Sequence, residues 1–144
     1  MADVALDANV LVAFLDAGDA HHARAVALIE RLRTEQHELV LLDICVGEAV
    51  SVVCRRARER RGSPPDLHRF LAAVRSWHDQ GEITWAAAAS ERLFGAIAST
   101  VEEAGGVLNF NDALLVALHR DGVFEHLASF DAGFDAIEGL SRMA

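Results

Sequence analysis

The apolar residues of this chain fall into short continuous runs separated by longer stretches with helical periodicity. Continuous runs, rather than strictly alternating ones, are typical of strands that are buried on both faces. They predict four strands, of which the third is the weakest: residues 4–6, 39–42, 83–85 and 127–130. A sheet that is covered on both sides is therefore expected.

Helices are predicted between these runs, where apolar residues recur every three or four positions and so share one helix face. The predicted helices cover residues 10–16, about 20–32, 44–61, 64–77, 88–104 and 111–120. Their N-caps are predicted at Asn9, Asp19, Asp43 and Ser63, residue types that accept hydrogen bonds from a first helical turn. Strands that alternate with helices predict a parallel sheet with right-handed crossovers.

The fold class that follows is α/β: a central parallel sheet of four to five strands flanked by helices. With 144 residues the chain is expected to form one domain over 1–144. No apolar run is long enough to cross a membrane, and the first residues lack the positive charge of a signal peptide. Cys45 and Cys54 do not form a metal-type pair, so a reducing cytoplasm is the expected location.

The formal net charge of −9 argues against a protein that holds nucleic acid by bulk charge alone. It does not exclude a nuclease that uses carboxylates to hold metal ions. Acidic residues occupy the positions such a site needs, because ligands of parallel α/β sheets bind beyond the carboxyl ends of the strands.

Asp7, Asp43 and Asp131 directly follow predicted strands, while Glu48 and Asp112 lie near the N-termini of apolar helices. Carboxylates gathered at one sheet edge repel one another, and a divalent cation such as Mg²⁺ or Mn²⁺ compensates them. Each acid alone has an ordinary alternative as a helix cap or turn residue. For Asp43 that alternative is preferred.

Four motifs in order resemble PIN-domain ribonucleases across nearly the whole chain. They are Leu6-Asp7-Ala8-Asn9-Val10-Leu11, the apolar helix with Glu48, Asn111-Asp112-Ala113-Leu114-Leu115-Val116-Ala117, and Ser129-Phe130-Asp131-Ala132-Gly133-Phe134. Compact single-domain members of this family are mostly VapC-type toxins of toxin–antitoxin pairs, and Asp19-Ala20-His21-His22 is also similar to those toxins.

The resemblance implies a metal-dependent endoribonuclease that hydrolyses RNA phosphodiesters with metal-activated water. It implies Mg²⁺ or Mn²⁺ held by Asp7, Glu48, Asp112 and Asp131, with Asp7 and Asp112 as direct ligands. Glu48 would bind metal or orient the attacking water, and Asp131 would act through water or hold a second ion. The family also implies an RNA substrate, a homodimer, and a cognate antitoxin whose tail covers the acidic cleft.

Asn9 and Ser129 match supporting polar positions that orient carboxylates. One departure is Gly133, which stands where many relatives carry another acid. Asp135, two residues later, is either a substitute or a surface residue, so occupancy of a second metal site is open.

Other side chains have weaker functional signals. Arg55, seven residues after Glu48, shares roughly its helix face and is a candidate contact for an RNA phosphate; the alternative is a solvated helix end. His21 and His22 are expected on a helix surface or at a dimer contact. Phe94 lies at helical spacing on a predicted helix and is expected in the core or in a dimer interface.

Two rival functions remain at the sequence level. One is a catalytically silent PIN-like module that acts through its dimer or partner surface; the complete set of acids argues against it. The other is a metal-dependent phosphatase or other α/β hydrolase. Asp7-Ala8-Asn9 lacks the Asp-x-Asp arrangement of aspartyl-phosphate enzymes, and no Gly-x-Ser-x-Gly elbow, Walker loop or dinucleotide glycine motif occurs.

Overall fold

The computed structural model describes residues 1–60, 62 and 64–144, and within them the sheet has five strands. The strands are β1 (Asp3–Leu6), β2 (Glu38–Leu42), β3 (Ile83–Thr84), β4 (His126–Ala128) and β5 (Ser141–Met143). Their spatial order is β3-β2-β1-β4-β5, and every neighbouring pair is parallel. The predicted parallel α/β fold is confirmed, with a fifth strand at one edge.

The helices lie between the strands in chain order. They are α1 (Ala8–Leu15), α2 (His22–Thr34), α3 (Asp43–Glu59), α4 (Leu67–Asp79), α5 (Ala87–Glu103) and α6 (Phe110–Arg120), and a short 3₁₀ helix covers Ala132–Ala136. Helix α1 packs against α2 and α3, α4 packs against α3, and α5 packs against α6. None of the helices in the described part of the chain is long and apolar enough to cross a membrane.

The centre of the sheet is apolar, as the continuous runs predict. Val4 and Ala5 in β1 and Leu127 and Ala128 in β4 are completely buried. Their burial fixes the two strands that carry the site, because moving either strand would expose apolar surface to water.

β1 lies at the point where the strand order reverses, with β2 on one side and β4 on the other. Leu6 is in register with Ala128, so the residues that follow, Asp7 and Ser129, emerge side by side at the carboxyl edge. The backbone N–H of Asp7 donates to the carbonyl of Ala128 at 2.9 Å and extends the pairing by one bond. Such a switch point is the usual ligand-binding crevice of an open parallel sheet.

Helix boundaries differ from the predicted ones at several caps. The N-cap of α1 is Asp7 rather than Asn9. Asp43 is the first residue of α3, and its carboxylate accepts a bond from the backbone N–H of Ala86 at 2.9 Å. It therefore ties α3 to the segment after β3, 43 residues along the chain, instead of capping its own helix.

The turn between α3 and α4 also departs from expectation. α3 ends at Glu59, where Arg60 adopts the left-handed conformation, and α4 begins after Asp66, which accepts from the N–H of Arg69. The predicted end at Arg61 and the predicted cap at Ser63 lie outside the described residues. With its cap at Asp66, α4 begins three residues later than the predicted start at residue 64, which was based on Pro64 and Pro65.

Candidate functional site

Asp7 is held at the end of β1 by three hydrogen bonds. Its Oδ1 accepts from the backbone N–H of Ala8 at 2.7 Å, and its Oδ2 accepts from the Ser129 hydroxyl at 2.6 Å and the Asn9 amide at 3.1 Å. Only 8% of the residue is exposed. A buried carboxylate with three donors is fixed in orientation.

Asn9 and Ser129 extend this network to the fourth acidic motif. The Asn9 amide oxygen accepts from the backbone N–H of Phe130 at 3.1 Å, and the Ser129 Oγ accepts from that of Asp131 at 3.1 Å. The loop after β4 is therefore positioned by the same polar groups that hold Asp7. The structure places both predicted supporting residues in contact with Asp7.

Asp112 lies in the first turn of α6 as half of a capping box. Its Oδ2 accepts from the backbone N–H of Asn109 at 3.2 Å, while the Asn109 side chain accepts from the N–H of Asp112 at 2.9 Å. These reciprocal bonds satisfy backbone donors that the helix cannot. One Asp112 oxygen is engaged in the box, and the helix start at Phe110 sets the direction of the side chain.

α3 contributes a stripe with a spacing of four residues. Glu48, Val52 and Arg56 all line the cleft above the sheet edge. Glu48 is exposed, whereas the Arg56 guanidinium donates to Asp16 at 3.0 Å and to Asp19 at 2.7 Å. Arg56 is thus bound to two carboxylates of the α1–α2 turn, and its charge within the cleft is compensated.

The four predicted acids surround one cleft of about 400 Å³. It is lined by Asp7, Ala8, Asn9, Val12, Asp19, His21, Glu48, Val52, Arg56, Asn109, Asp112, Phe130 and Asp131. The structure therefore brings together Asp7, Glu48, Asp112 and Asp131 from four separate segments of the chain.

The carboxylates influence one another's protonation. Burial raises the pKa of Asp7 above its usual value; the bonds from Ser129 and Ala8 oppose this, and the charges of Glu48 and Asp112 raise it further. Burial likewise raises the pKa of Asp112, against the bond from Asn109, and the charge of Asp131 adds to the rise. The cleft is lined by five carboxylates and one guanidinium, that of Arg56, so negative charge predominates in it.

The oxygen atoms that line the cleft are of the type that a divalent cation prefers. All four acids supply hard oxygen ligands, and a bound cation would compensate the mutual repulsion that contributes to the raised pKa values of Asp7 and Asp112. Among the described residues, no three His, Cys, Asp or Glu side chains converge tightly enough to form a ready chelate. The residues fit Mg²⁺ or Mn²⁺ in chemical type.

Other candidates from the sequence lie in different places. Arg55 is exposed and does not line the cleft; its neighbour Arg56 does. Asp135 pairs with Arg142 through bonds of 2.7 and 2.8 Å and is also outside the cleft lining. A Cβ on Gly133 would lie 3.0 Å from Oδ1 of Asp131, so a side chain at this position would crowd that acid.

His21 lies at the cleft rather than only on a helix surface. Its ring is tilted against that of Phe130, with the centroids 5.5 Å apart. Sequence spacing gives no signal for this contact, because the two residues are brought together only when the α1–α2 turn packs beside the loop after β4. Asp19, two residues earlier, accepts from the N–H of His21 at 2.8 Å and fixes the turn.

Fold and cleft define an α/β protein with an acidic site at the carboxyl edge of a parallel sheet. Comparison with protein families matches the PIN domain over residues 4–140. The chain therefore belongs to the PIN-domain family, as the four motifs predict.

Two solved structures of toxin–antitoxin proteins share the fold. VapC20 of Mycobacterium tuberculosis, a toxin that cleaves the sarcin–ricin loop, has a TM-score of 0.64 and 20% identity over 92% of this chain and 93% of that one. VapBC2 from Rickettsia felis, bound to a DNA fragment from its promoter, has a TM-score of 0.67 and 15% identity over 98% and 97%. No curated protein sequence matches the chain. Family and fold together support a nuclease as the class of activity.

Proposed function

We propose that the protein is a metal-dependent endoribonuclease and the toxin of a VapBC-type pair. The observation that carries this proposal is the convergence of Asp7, Glu48, Asp112 and Asp131 on one cleft in a PIN fold. Asp7, Asp112 and Asp131 each accept a hydrogen bond at the start of a helix, but local capping does not explain why acids from distant segments converge at the switch point of a parallel sheet. The proposed reaction is hydrolysis of an RNA phosphodiester by water, without a covalent intermediate on the protein.

Asp7 and Asp112 are proposed as the direct metal ligands, with Glu48 and Asp131 at the periphery of the site. A bound Mg²⁺ or Mn²⁺ supplies an activated water and neutralises charge on the phosphodiester. The protein's own contribution is orientation: Ser129 and Asn9 fix the Asp7 carboxylate, and the capping box fixes Asp112. Glu48 is exposed and lines the cleft, and its proposed role is to bind the metal or to orient the attacking water.

RNA as substrate, an antitoxin and a homodimer belong to the same proposal. VapC20 cleaves an RNA loop, and VapBC2 is a toxin–antitoxin complex. The open, acidic cleft suits an antitoxin segment that presents a basic side chain to the carboxylates, because that contact would compensate the same charge that a cation does.

The test is cleavage of total cellular RNA by purified, antitoxin-free protein with Mg²⁺, with Mn²⁺ and with chelator. A sarcin–ricin-loop hairpin serves as a second substrate. Discrete fragments are expected with metal only. Asp7→Asn and Asp112→Asn are expected to abolish cleavage while far-UV circular dichroism is retained. Asp79→Asn makes the same chemical change at an exposed position on α4 and should cleave like the parent protein.

Near-parental cleavage by both cleft variants would contradict these roles. The absence of a ready chelate among the described residues specifically favours one alternative, a silent PIN-like module that acts through protein contacts. Calorimetric titration with Mn²⁺ separates the two functions. An enzyme should bind the ion through Asp7 and Asp112, whereas a silent module should release no heat beyond dilution.

A further inference from the structure

A cation that the acidic cleft does not neutralise lies at its rim. The guanidinium carbon of Arg24 is 4.5 Å from the centroid of the Phe130 ring, and His21 packs on the same ring. We call His21, Arg24 and Phe130 the rim cluster. His21 and Phe130 line the cleft, so the guanidinium stands at its margin.

Three other guanidinium groups are committed to carboxylates, among them Arg56, the arginine that lines the cleft. Arg56 binds Asp16 and Asp19, Arg92 binds Asp121, and Arg142 binds Asp135. Within the described residues Arg24 forms no salt bridge, and its guanidinium lies over the face of the Phe130 ring. Stacking leaves the in-plane N–H donors of a guanidinium free, and that fork matches two oxygens of a phosphate.

The position of the rim cluster is fixed by the candidate active site itself. The backbone N–H of Phe130 donates to Asn9, whose amide also donates to Asp7. The platform beneath Arg24 is therefore linked through one residue to a proposed metal ligand. Arg24 lies in the first turn of α2. That helix begins at His22, directly after the turn in which the N–H of His21 donates to Asp19.

We propose that Arg24, stacked on Phe130, forms a subsite for an RNA phosphate that flanks the scissile one. This inference rests on the proposed ribonuclease function. An RNA strand meets a cleft of excess negative charge, and an uncommitted guanidinium at the rim supplies the attraction that the cleft lacks. Phe130 acts as a positioning residue, because one face of its ring carries the guanidinium rather than a base.

The test measures binding of total cellular RNA to the cleavage-deficient Asp112→Asn protein, by filter binding in Mg²⁺ over a series of salt concentrations. A phosphate contact is independent of base sequence, so mixed RNA is a suitable probe. In this background Arg24→Gln is expected to weaken binding about tenfold and to reduce the slope of log affinity against log salt by about 0.7. Arg33→Gln removes the same charge from the opposite side of α2 and should change affinity by less than about twofold.

Phe130→Leu tests the positioning role. It should weaken binding in the Arg24-containing protein, and adding it to Arg24→Gln should cost little more, because both changes remove the same contact. Equal effects of Arg24→Gln and Arg33→Gln on affinity and salt slope would overturn the phosphate subsite. The absence of RNA binding by the Asp112→Asn protein that retains Arg24 would also overturn it.

Cleavage of RNA by the wild-type chain is measured in a separate assay, so that the phosphate subsite and the ribonuclease function can fail independently. Metal-dependent cleavage together with an unaltered Arg24→Gln binding curve would reject the subsite and keep the enzyme. Neither cleavage nor RNA binding by the folded wild-type protein would reject both.

Discussion

Asp112 faces two opposing demands, since its carboxylate caps a helix and also stands among other acids. As a cap it accepts from the N–H of Asn109, which stabilises the start of α6. As part of the cleft it is partly buried beside Asp131, and its pKa is raised. Its negative charge is therefore unfavourable for folding in the absence of a cation, although its oxygen is needed.

Asp112→Asn separates these two roles. The amide keeps an oxygen for Asn109 but removes the charge. An acid with a raised folded pKa binds protons more tightly when folded, so it stabilises the fold at low pH and loses that contribution as pH rises through the raised value. The metal-free variant should therefore be more stable than the parent at neutral pH by up to about 1 kcal/mol, discounted for partial exposure. The difference should shrink at acid pH.

Urea unfolding in chelator across a pH series measures this difference directly. Addition of Mn²⁺ should reverse the order at neutral pH, because only the parent gains from the ion. A variant that is less stable than the parent at neutral pH without metal would show that the charge of Asp112 is already compensated within the protein.

At the residue scale the sequence was most informative about the acids. Asp7, Glu48, Asp112 and Asp131 could be selected because strand ends and helix starts are local patterns, and parallel topology places such ends at one edge. Arg56, His21 and Arg24 could not be selected in the same way. Their positions depend on how the α1–α2 turn packs against α3 and against the loop after β4, which are contacts between segments distant in sequence.

At the scale of elements, the capping box of α6 links stability to the site. Asn109→Ala removes the side chain that accepts from the N–H of Asp112 and should lower the free energy of unfolding by about 0.5–2 kcal/mol. It should also reduce cleavage at least several-fold, because the Asp112 carboxylate loses its fixed helix start.

Asp66→Ala is the matched control, since Asp66 caps α4 by accepting from the N–H of Arg69 and does not line the cleft. A comparable loss of stability is expected with cleavage retained, measured well below the melting temperature of both variants. Equal loss of cleavage in the two variants would mean that general stability, rather than the orientation of Asp112, controls activity.

Element types were largely predictable and element boundaries were not. The apolar runs located β1, β2, β3 and β4, but β5 (Ser141–Met143) carries too little apolar signal to be distinguished from a loop. The N-caps were predicted from residue type alone, and more than one residue of a suitable type lies near the start of several helices. Asp7 and Asn9 are both suitable types for the start of α1; Asp7 caps the helix, whereas Asn9 contacts Ser129 and Phe130, about 120 residues away.

At the scale of the whole molecule, α5 is the helix with the smallest share of buried residues in the described part of the chain. Of its 17 residues, Ile97 is the buried one, and α5 packs against α6 along that side. Phe94 on this helix is 59% exposed and stacks at 5.6 Å on the Phe110 ring of α6, with Val107 exposed in the connecting segment. Phe94 is therefore not a core residue, and its predicted role in a dimer interface stays a prediction.

In the proposed homodimer, the exposed apolar face of α5 would be covered by the same face of the second copy. A two-fold interface uses the same patch on both copies, so one substitution acts twice. Phe94→Glu would place two unpaired charges in the interface and remove two buried rings, each worth about 1.5–3 kcal/mol. Dimer affinity should therefore fall by at least about a hundredfold.

Trp85→Glu is the control, because it introduces the same charge at another exposed aromatic residue, 65% exposed and beside α4, and should leave the dimer intact. Sedimentation equilibrium measures both variants: a wild-type chain that stays monomeric, or a dimer that Trp85→Glu rather than Phe94→Glu dissociates, would remove the α5 face from the assembly.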